Sequence, residues 1–212
     1  MTHGSESPPS SPLHKLGVLG ILVWVSMIAV DFFLHAGILA SLYAQPSPFL
    51  LPPQAAFARI PLGYLSFIPF ALILLWLVVA LRLTGARPGF LFGLKLGALI
   101  WGAVALGLAS VSTASPALLL GWFAGQTLEM GIGGAIAGEG LQRDSLRPLV
   151  FGVVLLLLTS IILTILLQSL GLAPAARVLS LSVDPSGSAA QQSIGGAARA
   201  ARPAGYLGSA RY

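Results

Sequence analysis

Five apolar runs separated by short polar turns constrain this chain more than any other feature. They cover about residues 16–43, 60–81, 90–111, 116–141 and 149–170, and each matches or exceeds the ~20 residues that an α-helix needs to cross a bilayer. In hydrocarbon every backbone N–H and C=O must find its partner within the segment, so runs of this length fold as helices. The expected fold is all-α: a polytopic transmembrane helical bundle of five spans across residues 15–171. A disordered tail is expected at 1–14 and a flexible tail at 172–212, both rich in small residues and proline. Composition excludes a soluble alternative. Only 8% of the residues are charged, against about 25% in soluble domains, too few to cover a water-facing surface.

The first run resembles a signal peptide at its start, behind His14 and Lys15. It continues through Asp31 and His35 to about Tyr43 with no small-x-small cleavage site near its end, and therefore reads as a retained span. Gln45 to Ala58 carries Pro46, Pro48, Pro52 and Pro53 and reads as an irregular loop. Lys15, Arg82, Arg87, Arg143 and Arg147 fall on one side of the five-span topology. Arg59 and an uncharged Ser112–Pro116 turn fall on the other. The positive-inside rule then places the N-terminus in the cytoplasm and the C-terminus outside. The net charge of +5 comes without a basic cluster, so no nucleic-acid partner is expected, and the absence of cysteine excludes disulfides and thiolate chemistry.

Small residues let membrane helices approach closely. The third run carries Gly89, Gly93 and Gly97 at spacing four, and the fourth carries Gly121 and Gly125, then Gly134 and Gly138. A short turn joins the two runs, making them antiparallel neighbours. The expected packing face pairs Gly93 and Gly97 with Gly121 and Gly125.

Polar residues inside the runs are the candidate site: Asp31, His35, Arg59, Lys95, Gln126 and Glu129. A carboxylate in hydrocarbon is costly, so Asp31 and Glu129 must face protein or water. At ~1.5 Å per residue, Glu129 is about 20 Å from an outer start near Pro116, hence about 10 Å from the inner boundary of a ~30 Å core. Lys95 is about 9 Å deep from the inner side. Two fates stand open for Lys95: an ion pair with Glu129, or snorkelling to the interface. Asp31 and His35, four apart, share one helix face, and Arg59 approaches from the outer side as a partner for Asp31. On this ruler Asp31 and Glu129 differ by about 12 Å in depth, so no metal joining them is expected. No catalytic residue and no cofactor is expected either.

Arg59-Ile-Pro-Leu-Gly-Tyr64, the run Phe92-Gly-Leu-Lys-Leu-Gly-Ala-Leu-Ile-Trp-Gly102 and Gly121-Trp-Phe-Ala-Gly-Gln-Thr-Leu-Glu129 resemble small multi-pass bacterial membrane proteins of unknown function. The resemblance spans Asp31 to about Gly140. It implies the bacterial inner membrane and supplies no reaction or ligand. The expected role is non-enzymatic: an accessory or scaffold subunit whose buried polar layers fix helix packing, and whose Ser160, Thr164 and Gln168 stripe or tail meets a membrane-protein partner or a second copy. The alternative is a small proton-coupled transporter or ligand-binding membrane protein that uses the intramembrane polar residues.

Overall fold

The computed structural model describes residues 12–45 and 47–174, and among these every regular element is helical. In chain order they are α1 (Pro12–Phe33), a π-helical segment (Leu34–Ile38), α2 (Ala40–Tyr43), α3 (Pro53–Ala58), α4 (Ile60–Ala80), α5 (Ala86–Val111), α6 (Pro116–Gln142) and α7 (Arg147–Ser169). Four stretches are long and apolar enough to cross a membrane: Pro12–Ile38, α4, α5 and α7. The helix α6 has the length but not the apolarity, because its glycines, Gln126 and Glu129 dilute it. It is also rich in buried positions, from Leu118 to Gly140.

Two details differ from the sequence expectation. The first run is not one α-helix to Tyr43, since Leu39 N–H reaches back five residues to the Leu34 carbonyl at 2.7 Å. The proline-rich loop contains α3. Pro53 opens that helix at a position where a missing N–H costs no bond. The expected tails lie outside the described residues, except for Pro12 to His14, which α1 takes in, and residues 172–174, of which Leu172 and Ala173 donate their N–H groups to the Leu167 carbonyl.

The helices α1 and α6 form the inner pair. Their shared core is built with α4: Leu19, Val23 and Met27 on α1, Phe67, Ala71, Leu74 and Val78 on α4, and Met130 and Ala137 on α6. The helix α5 packs chiefly on α6, and α7 on α1. The Nζ of Lys15 donates to the Arg143 carbonyl at 2.6 Å, and Gly85 N–H donates to the Gly138 carbonyl at 2.8 Å. These contacts gather the start of α1, the start of α5 and the end of α6 at one end of the bundle.

The α5–α6 seam is backbone against backbone. A Cβ on Gly89 would collide with the Gly134 carbonyl oxygen, and one on Gly93 with that of Met130. A Cβ on Gly97 would lie 2.9 Å from Thr127 Cα. Gly121 and Gly125 are not part of this seam. They face Leu39 and Leu34 instead, at 2.9 and 3.3 Å from the position of an added Cβ. Helical arithmetic explains the difference. From Gly125 to Gly134 is nine positions, which at about 100° each is two and a half turns. The two glycine pairs of α6 therefore sit on opposite faces, one for α5 and one for the end of the first span.

Candidate functional site

The face of α6 turned toward α1 carries Gln126, Glu129, Gly133 and Gly140. Gly133 admits Val23, Met27 and Leu74, and Gly140 admits Leu19. This close approach brings Gln126 and Glu129 against Asp31 and His35. Gln126 Nε2 donates to Glu129 Oε1 at 2.9 Å and to Asp31 Oδ1 at 3.4 Å. His35 Nε2 lies 3.3 Å from that same Asp31 oxygen. Its orientation does not make a hydrogen bond, and this buried nitrogen has no hydrogen-bond partner.

Glu129 is 0% exposed. One of its oxygens is held by Gln126, and Oε2 is buried without a partner. A buried polar atom left unpaired costs about 1–3 kcal/mol, more for a charged group. Asp31 and His35 form the more open side, with side chains 15% and 23% exposed. One donor atom from each of Asp31, His35 and Glu129 lies within 4.8 Å of the other two.

A second set of contacts orients the imidazole. His35 Nδ1 is hydrogen bonded to the Tyr43 hydroxyl, which also accepts from Trp122 Nε1. Phe49, from the proline-rich loop, packs its ring on Trp122 with centroids 6.0 Å apart. The π segment is held from its other side: Gln168 Nε2 on α7 donates to the Ala36 carbonyl at 3.1 Å. Thr164 beside it is buried and donates to the Ser160 carbonyl. The polar stripe of α7 is thus spent within the chain. π-helical insertions are frequent at functional sites, and here the insertion carries His35 itself.

The expected cations are elsewhere. Lys95 is exposed, two positions from Gly93 and Gly97 and so on the side of α5 away from α6. Arg59 is exposed at the α3–α4 corner. Among the described residues the ion pairs are Asp31–His35 and Glu139–Arg143. The expected 12 Å depth gap between Asp31 and Glu129 is also absent. The Lys15–Arg143 contact registers the two helices, and from those residues Asp31 and Glu129 lie about 24 and about 21 Å along their helices. The depth ruler takes α6 to end at the boundary of a ~30 Å core, whereas its 27 residues make a helix about 40 Å long. Tyr43 and Trp122 had no signal in sequence, because their meeting depends on how the end of the first run lies against α6.

Comparison of the chain with family models, with curated proteins and with solved structures finds no match.

Proposed function

We propose that this chain is a five-span protein of the bacterial inner membrane that binds a small cationic ligand between α1 and α6, and that it is a binding or transport protein rather than an enzyme. The observation that carries this reading is Glu129: a fully buried carboxyl with an unpartnered oxygen, beside Asp31, with no lysine or arginine among the described residues paired to either. Two carboxyls in a low-dielectric interior attract positive charge strongly, and intramembrane acidic residues facing a bundle interior mark ion or substrate paths. Counting α6 as the fifth span follows from its length and from its place between α1, α4 and α5. The cytoplasmic N-terminus rests on the positive-inside asymmetry.

The reading as an accessory subunit draws less support. Its two charge-neutralising pairs, Lys95–Glu129 and Arg59–Asp31, are not formed, and its partner-facing stripe on α7 contacts the chain's own π segment.

The test uses the absence of native cysteine. His35→Cys, in membranes, is treated with small cationic and anionic methanethiosulfonates. The expected result is labelling in the folded protein, at least tenfold faster with the cationic reagent. A thiol that reacts only after denaturation, or equally with both reagents, overturns the reading.

A further inference from the structure

Resting on that binding reading, we propose that Asp31, His35 and Glu129 together hold one divalent first-row transition-metal ion. The donor set is one imidazole nitrogen and two carboxylates, which suits Zn²⁺, Mn²⁺, Fe²⁺ or Co²⁺ rather than the soft thiolate-seeking ions or the all-oxygen Mg²⁺ and Ca²⁺ cages. The ion would bridge α1 with its π segment to α6.

Three observations converge. The three donor atoms lie within 4.8 Å of one another. In a tetrahedral site with bonds of about 2.0–2.2 Å, donors stand about 3.3–3.6 Å apart, so a contraction of little more than 1 Å closes the site. Glu129 Oε2 and His35 Nε2 are both buried and lack hydrogen-bond partners, which leaves their lone pairs available to a Lewis acid. Charge balances too: two carboxylates and a divalent cation sum to zero, the state a low-dielectric interior favours.

The surroundings match what a metal site requires of its supporting residues. A ligating histidine donates its other N–H to a fixed acceptor, which sets tautomer and ring orientation. With the proton on Nδ1, His35 donates to the Tyr43 oxygen, which Trp122 Nε1 holds in place, and Nε2 is left as the ligand. Gln126 serves the carboxylates in the same way. Its amide occupies Glu129 Oε1 and leaves Oε2 without a hydrogen-bond partner.

The experiment uses the full chain in detergent or nanodiscs, stripped with chelator and titrated with Co²⁺ or equilibrated with Zn²⁺. The expected result is one Zn²⁺ per chain by elemental analysis and visible Co²⁺ absorption bands of a nitrogen–oxygen site. His35→Gln, at the more open side of the cluster, should weaken binding at least tenfold, as should Glu129→Gln. Tyr43→Phe, which keeps every ligand and removes only the hydroxyl, should weaken it about tenfold or more. His3→Ala and His14→Ala should change nothing. No stoichiometric metal, or binding equal in wild type and His35→Gln, overturns the proposal. If His35→Cys still favours the cationic reagent while no metal binds, the metal assignment alone falls and the cation-binding reading stands.

Discussion

Gln126 on α6 and Asp31 on α1, ninety-five residues apart in the chain, meet with Nε2 3.4 Å from Oδ1, and the same amide reaches Glu129 Oε1 at 2.9 Å. One side chain therefore braces both carboxyls of the bundle interior and couples α1 to α6. Gln126→Ala should lower stability by about 1–2 kcal/mol, the upper part of the range for polar contacts between membrane helices. Gln126→Asn, one methylene shorter, should recover little. Chemical or thermal unfolding of the purified protein checks this. A loss below a few tenths of a kcal/mol would mean that the amide is a bystander.

The glycine seam makes a graded prediction. Gly93→Ala and Gly134→Ala push a methyl into a carbonyl of the facing helix and should cost about 1–3 kcal/mol or more, as overpacking does. Gly121→Ala meets only the methyl ends of Leu39 and Leu42, which can rotate away, so it should cost less. Gly63→Ala and Gly107→Ala, with nothing within 4 Å, should be neutral or mildly stabilising, since alanine is the better helix former by about 1 kcal/mol. The order seam, then Gly121, then open positions is the quantity to measure in detergent. A flat profile across the five variants would be incompatible with a backbone-to-backbone α5–α6 contact.

Lys95 supplies a contrast. It is exposed on α5 and takes no part in the Asp31–Gln126–Glu129 contacts. Lys95→Ala should leave stability within about 0.5 kcal/mol of wild type, as exposed substitutions do. A buried pair with Glu129 would instead have cost about 3–5 kcal/mol when broken. The same unfolding assay separates the two.

The helical class and the long apolar runs were legible in the sequence, because length and hydropathy act locally. What met what was less legible. Gly93 and Gly97 sit on a seam, yet their partners are Thr127, Met130 and Gly131 rather than Gly121 and Gly125. Choosing among faces of α6 needed its rotation, which a fourfold glycine spacing repeated on two opposite faces does not give. The sequence ruler puts Asp31 and Glu129 at different depths because it takes a helix to end where a ~30 Å hydrocarbon core ends, whereas α6 is 27 residues long. The π segment was invisible. No proline or charge marks it, and it is fixed by distant contacts, Gln168 on the Ala36 carbonyl and Leu167 against Gly37.

Topology gives the last test, and it bears on α6 directly. Thr113, in the α5–α6 turn, and Ser145, in the α6–α7 turn, are both exposed. If α6 crosses the bilayer, these positions lie on opposite sides. If α6 were instead a re-entrant or surface helix, they would share a side. With no native cysteine to confuse the reading, Thr113→Cys and Ser145→Cys can each be treated in intact cells with a membrane-impermeant maleimide. Thr113→Cys should react in intact cells, and Ser145→Cys only after permeabilisation. The reason is the charge asymmetry of the turns. Arg143 and Arg147 flank Ser145, whereas the turn at Thr113 has no charge, and the positive-inside rule retains the basic turn in the cytoplasm. The reverse pattern would invert the orientation and keep five spans. Equal labelling of both positions before permeabilisation would remove α6 from the count of spans and, with it, the intramembrane setting of Gln126 and Glu129.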